Sequence, residues 1–324
     1  MERTLHKLVL LLALNALVVC DSVAEQVPSA TQRASFDSHR AMGHIHSIMR
    51  WAPRSIGTSG HARTLSYIAA QLRSEPDMVI LRQEWTEQRD DGGLLRLTNL
   101  IARLHPESAQ RLILSTHYDS IVRAYKDPNP ALRTSPMPGA NNSASGVALL
   151  LEVARVLSRI GKIPLGVDFV FFDGEEGPYA LGAGDPNWRA LGSPYFARHV
   201  RDLYPSQLPR AAVAYDMVCK TNLRLYPERW SVQSAPDQVR RFWTIGASLA
   251  PEAFQANPEV APIPIGDDQV PLAKIGIPSL LVIDFDYEPW FNTSHDTEDK
   301  CSERSLAAVG RTTVAFVTSF PSSP

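Results

Sequence analysis

Cysteine is scarce in this chain, with three in 324 residues, at Cys20, Cys219 and Cys301. So few exclude a disulfide framework, and their spacing excludes a cysteine-based zinc site, so any metal must rest on histidines and carboxylates. Charge of one sign is also lacking. The formal net charge is −2, which gives no footing for nucleic acid or an anionic membrane. Only one long hydrophobic run occurs, Leu8–Val19, and it is shorter than the roughly 20 residues a spanning helix needs. Internal repeats and low-complexity tracts are absent. No glycine-rich phosphate loop follows the first strand of the alternating region, which argues against a nucleotide-binding doubly wound protein.

The hydrophobic run follows Lys7 and leads to Ser22-Val23-Ala24, the small-x-small spacing of a signal-peptidase site. Residues 1–24 therefore read as a signal peptide cleaved after Ala24, with 25–33 a disordered leader. Lipid modification of Cys20 ranks second because Val19 is bulky, and an uncleaved anchor is a further alternative. Export to the periplasm or the exterior follows, with no membrane association after cleavage. It leaves Cys219 and Cys301 either as one disulfide or as two thiols. The remaining residues, 34–320, suit one α/β domain, and 44% hydrophobic residues supply its core.

Periodicity predicts helices over Phe36–Met49 and Ser59–Leu72, then strands over Met78–Trp85 and Leu95–Leu104 around Asp90-Asp91-Gly92-Gly93. Strands and helices then alternate. Strands are expected at Arg111–Thr116, Gly166–Phe172, Ala211–Tyr215, Asn222–Tyr226 and Ile277–Ile283. Helices are expected at Ser145–Ile160, Ser193–Leu203, Asp237–Leu249 and Ser302–Thr318. That order predicts an α/β fold: a mostly parallel, twisted sheet with helices on both faces.

Ligands of open α/β sheets sit beyond the carboxyl ends of the strands. At those ends stand His117-Tyr118-Asp119-Ser120, Asp173-Gly174-Glu175-Glu176, Asp216, and Asp284 with Asp286, followed by a loop holding Asn292, His295 and Asp296. Each taken singly reads as a cap, a turn acid or a solvated face. Acids or histidine at four ends of one sheet point to a site. Within the Glu pair, one carboxylate suits a divalent ion. The other suits proton transfer, if burial raises its pKa.

The ordered set H-Y-D-S, G-A-N-N-S-A-S-G, F-F-D-G-E-E, Y-D-M and N-T-S-H-D-T-E-D resembles the zinc aminopeptidase family. Within it, Trp188, the turn Leu191-Gly192-Ser193 and Ile265-Gly266-Asp267-Asp268-Gln269-Val270-Pro271 are similar to the glutaminyl-peptide cyclotransferases. The resemblance covers roughly residues 36–318. It implies a phosphorylase/hydrolase-like zinc-exopeptidase fold, a Zn2+ cofactor, and peptide N-termini as substrate or ligand. It also implies His117 and Glu176 as metal ligands, Glu175 as general acid/base, Asp216 as a ligand or proton partner, and Asp268 as a holder of the leaving ammonia.

Three positions depart from the family pattern. Asn142 stands for a metal-binding aspartate, Asn292 for a metal-binding histidine, and Gln269 for the histidine after the acid pair. Catalytic zinc wants three protein donors and an open position, and two of these now offer only neutral amides. His295, three residues beyond Asn292, is the candidate replacement. Asn141 and Asn292 also begin glycosylation-type triplets, false positives if they line a pocket. Two readings result. One is a zinc-dependent glutaminyl cyclotransferase or aminopeptidase with a degenerate metal site; the other is a binding protein that kept the scaffold and lost catalysis.

Overall fold

A computed structural model describes residues 35–89, 92–161, 163–177, 188–255, 258–261 and 264–321. The expected signal peptide and leader, and Asp90-Asp91 of the predicted turn, lie outside the described residues.

Six strands form one sheet: β1 (Met78–Gln88), β2 (Leu94–Leu104), β3 (Arg111–His117), β4 (Gly166–Phe172), β5 (Ala211–Asp216) and β6 (Ser279–Ile283). Their order is β1-β2-β4-β3-β5-β6. The four strands from β4 to β6 are mutually parallel, while β1 and β2 form an antiparallel pair that joins β4 antiparallel. Every residue of β3, β4, β5 and β6 is buried, as continuous apolar runs covered on both faces require. β1 alternates between half-buried and exposed positions, as an outer strand should.

One face carries α1 (Ser38–Met49), α2 (Ser59–Arg73), α3 (Gly146–Leu157), α7 (Pro236–Leu249) and α9 (Glu303–Thr318). Their apolar stripes meet the sheet through Ile45, Leu151, Phe242 and Phe316. The other face carries α4 (Gly192–Arg198), α5 (Val200–Leu203) and α8 (Gln269–Lys274), packed through Phe196, Val200 and Leu272. All twelve residues of α3 are buried. Its one acid, Glu152, is tolerated because Arg155 pairs with it at 2.5 Å and the Asp37 N–H donates to it at 2.9 Å. Gly146 opens α3 where a Cβ would sit 2.1 Å from Thr116 Oγ1 and 2.9 Å from the Tyr215 carbonyl. That close approach sets the start of α3 against the ends of β3 and β5.

The α/β expectation holds, and several details differ. Asn222–Tyr226 is no ladder strand. Asn222 has φ +61°, and the segment makes one isolated bridge, Leu225 to Phe254. Its alternating burial comes from Leu223 and Leu225 entering the helical core. The helix expected over Ser193–Leu203 is broken at His199. Two short helices were not anticipated, α6 (Arg229–Ser234) and α8, which contains Pro271. α6 shields the sheet edge, since Ser231 and Ser234 hydroxyls accept the Leu281 and Ser279 N–H groups of β6.

Cys219 and Cys301 form a disulfide across 82 residues. It links the segment after β5 to the one before α9, beside the Ser302 N–H to Cys219 carbonyl bond. Among the described residues no helix is long and apolar enough to cross a membrane. Replacing Cys301 by Ser is expected to cost about 2–4 kcal/mol, read as a lower denaturant midpoint. An unchanged midpoint would show that the crosslink contributes nothing.

Candidate active cleft

The carboxyl ends of the parallel strands bring the predicted residues to one edge. His117 closes β3, fully buried, with Nδ1 3.3 Å from Asp119 Oδ1 and Nε2 3.3 Å from Asp216 Oδ1. Glu175 Oε2 lies 3.9 Å from the same Nε2. Asp119 fixes the turn after β4: its two oxygens accept the N–H groups of Glu175 (3.1 Å) and Glu176 (3.2 Å). Glycine at 174, φ +75°, lets the chain turn there. Behind it Asp173 accepts from Thr98 N–H and Tyr118 OH, and pairs with His61 at 2.7 Å.

Asn142 arrives from a wide turn, Ala140–Ser145, that precedes α3. Asp296 holds that turn, accepting the N–H groups of Asn141 at 2.8 Å and Asn142 at 3.0 Å and the Tyr287 hydroxyl at 2.7 Å. Arg54, wholly buried, donates to the Pro138 and Gly139 carbonyls at 2.8 Å. Asn142 Nδ2 donates to Glu176 Oε1 at 2.7 Å and to Asn292 Oδ1 at 3.3 Å, and Asn292 Nδ2 donates to Tyr125 OH at 3.2 Å. Both triplet asparagines, Asn141 and Asn292, are buried, so neither is open to glycosylation in the folded chain.

These groups border a cleft of about 450 Å³. Glu175, Glu176, Asp216 and Asp267 give it an acidic wall, and Trp188, Ile265, Phe285 and Phe291 an apolar one. Asp268 is buried, and neither of its oxygens meets a donor in hydrogen-bond geometry among the described residues. His295 is not brought to the cleft. It is exposed, and its loop is pinned by Asp296 on one side and by Asp127, which accepts both the N–H (3.0 Å) and hydroxyl (2.5 Å) of Ser294. Swinging His295 inward would break those bonds. His295 is not among the residues that line the cleft.

Burial lifts the carboxyls of this edge. Glu175 is held well above the usual carboxylate range by burial and then by the charge of Asp267, against His117. Burial with the charges of Asp119 and Asp216, opposed by His117, pushes Glu176 up to about 8 and Asp268 to about 7. Burial opposes the charged form of His117, yet its hydrogen bonds to Asp119 and Asp216 raise it well above an ordinary histidine. Asp119 is correspondingly lowered, its burial outweighed by His117.

The zinc implied by the sequence resemblance finds no fitting donor set. Where an acid and a histidine would stand beside Glu176 there are two amides, one presenting N–H. Among the described residues no group of three or more His, Cys, Asp or Glu side chains is disposed to hold a metal ion.

The family model for Peptidase family M28 matches residues 99–317, the span that contains β3 to β6 and the whole acidic edge. The chain belongs to that family. A glutaminyl-peptide cyclotransferase-like protein of Mus musculus is 27% identical over 292 residues, covering 82% of this chain and 72% of the mouse protein. Among solved structures, Tannerella forsythia glutaminyl cyclase matches with TM-score 0.79 and 28% identity over 89% of this chain and 100% of that one. A Zn-dependent exopeptidase from Parabacteroides distasonis matches with TM-score 0.80 and 26% identity, over 88% and 99%.

Several residues of this M28 cleft were given no role from sequence. Asp119, Asp296 and Asp267 stood in view as strand-end or loop acids, but nothing in a sequence says which acids meet backbone N–H groups. Arg54 and Tyr125 come from loops that carry no motif, and only the fold delivers them.

A pH dependence follows. Glu176, Asp268 and Asp296 (raised to about 6, chiefly by burial) hold protons in the folded chain at pH values where the unfolded chain has lost them. More protons bound to the native state means stability falls as pH rises. The expected denaturant midpoint declines between about pH 4 and pH 8, the span between ordinary carboxylate values and the raised ones. A midpoint that climbs through that window would contradict it.

Proposed function

We propose that this M28-family chain recognises peptide N-termini on a glutaminyl-cyclase-type scaffold, and that binding rather than zinc-dependent turnover is the work of the cleft. The observation that carries the reading is the acidic wall beside the apolar one. Glu175, Asp216 and Asp267 attract an α-ammonium group, which also relieves the repulsion between buried carboxylates. Trp188, Ile265, Phe285 and Phe291 then pack the first side chain. Among relatives, the glutaminyl-peptide cyclotransferase of Gloydius blomhoffii acts, by its name, on glutaminyl peptides. Zinc has no matching donor set among the described residues. The compartment is secreted or periplasmic, supported by the signal-type N-terminus and by a disulfide, which persists in oxidising surroundings.

A second reading rests on Glu175. It is buried, its carboxyl is held well up, and the acid/base group of a cyclotransferase is thus intact. In that reading it moves a proton from the α-amine towards the leaving group, with Asp216 and Asp268 orienting it.

Calorimetry with an N-terminal glutaminyl peptide and its N-acetylated counterpart, run beside an ammonia-release assay, separates the two. The expected result is binding that weakens about tenfold or more on acetylation, by at least the worth of one charge-assisted contact, with no ammonia. Asp267→Asn should weaken it in the same direction. Ammonia release abolished by Glu175→Gln would replace the binding reading with the enzyme. Equal binding of both peptides would remove the N-terminal ammonium from the account.

A further inference from the structure

Asn142 joins Glu176 to Asn292 in a chain of hydrogen bonds that ends on Tyr125. The Asn142 amide group presents its N–H side to Glu176 Oε1 2.7 Å away, an oxygen that accepts whether the carboxyl is ionised or carries its proton on the other oxygen. The same Nδ2 reaches Asn292 Oδ1 at 3.3 Å. The orientation of Asn292 is set in turn by its own N–H, given to Tyr125 OH at 3.2 Å. Turning the Asn142 amide over would set its oxygen against two other oxygens. The three side chains come from three separate segments, each anchored through its backbone. The Asn142 N–H is held by Asp296, the Glu176 N–H by Asp119, and the Asn292 carbonyl accepts from Lys126 N–H at 3.2 Å.

We infer that this Asn142–Glu176–Asn292 bridge stands at the metal position itself, an amide N–H doing there the joining that a divalent cation would do. The cleft is thereby ordered without an ion, and the two asparagines work as a pair. An aspartate at 142 with asparagine kept at 292 would face Glu176 with a second carboxylate and no cation between them. A histidine at 292 alone would remove one of the two acceptors of Asn142, the Asn292 amide oxygen, and would still leave a neutral amide at 142. Only the two changes together make a three-donor set of carboxylate, carboxylate and imidazole, which suits zinc. The bridge also changes what the position offers a ligand. Asn142 Oδ1 is buried with no hydrogen-bond partner among the described residues. It is closed off from solvent, so the position offers a ligand neither the electrophile of an open metal site nor an exposed acceptor.

The test is zinc affinity of the full mature chain, stripped with chelator and titrated with zinc against a chromophoric competitor, with melting temperature followed in parallel. Neither readout depends on which peptide the cleft takes. The wild-type chain should take up no stoichiometric zinc and show no zinc-dependent rise in melting temperature. Asn142→Asp combined with Asn292→His should bind one zinc per chain, tighter than wild type by more than about 100-fold, since even outer partners of metal ligands are worth about 10–100-fold. Asn142→Asp alone should melt lower in chelator than wild type. Stoichiometric zinc in the wild type, with thermal stabilisation lost in Asn142→Ala, would overturn the inference. So would a double variant that is folded, by circular dichroism, yet takes no zinc. Should the double variant not fold, the wild-type titration decides alone.

Discussion

The cleft depends on buried carboxylates whose oxygens are occupied by backbone N–H groups. Asp119 accepts the N–H groups of Glu175 and Glu176, and Asp296 those of Asn141 and Asn142. A carboxylate taken from water is costly unless it is paired or hydrogen-bonded. Two N–H groups in a turn satisfy it and in return fix the turn. By this device four loops are tied in two pairs, each pair set within hydrogen-bond tolerance. Arg54 adds a cation behind Asp119, Asp296 and Glu176 without touching their oxygens. Burial lowers its pKa to about 10, so it stays charged at neutral pH.

The sheet gives these anchors their rigidity. β3, β5 and β6 run side by side and parallel, so His117, Asp216 and the turn after β6 leave the core in one direction. Gly146 allows α3 to start in contact with Thr116 and the Tyr215 carbonyl, and the turn carrying Asn142 is the lead-in to that helix. A shift in α3 would therefore move Asn142 and Glu176 apart. The disulfide constrains the remaining wall: Cys219 lies three residues beyond Asp216, and its N–H is held by Asn141 Oδ1 at 3.0 Å.

Much of this was legible in the sequence, and for physical reasons. Strands buried on both faces write themselves as apolar runs, and α3 as an apolar helix, so the layered fold could be read from hydrophobic pattern. The strand-end rule then put His117, the Glu pair and Asp216 at one edge. What could not be read was how loop residues are spent on one another. Asn222–Tyr226 alternates like a strand because Leu223 and Leu225 enter the core, yet no neighbouring strand is there to pair with it. α8 hides behind Pro271, tolerated because the helix is only just beginning. His295 lies near Asn292 in sequence and on the wrong side of a loop pinned by Asp127. Nothing in residue order distinguishes an acid that anchors a turn, such as Asp296, from one that lines the cleft, such as Asp267.

The amide bridge and the acidic wall bear on each other through charge. A zinc ion held by an aspartate and a histidine would bring two positive charges and one negative to this point. Two asparagines bring none, so the cleft is one unit more negative than a metal-bearing version built on the same frame. His117, held protonated by Asp119 and Asp216, and the remote charge of Arg54 leave Glu175, Glu176, Asp267 and Asp268 undercompensated; burial is the chief cause of their raised pKa values, and repulsion among neighbouring acids adds to it. Protons supply the missing charge when the cleft is empty. A ligand bearing an ammonium group can displace those protons and take over the role, and the gain is largest where the metal is missing. With neutral amides at 142 and 292, the charge of the cleft itself favours the proposed recognition of a cation at this edge.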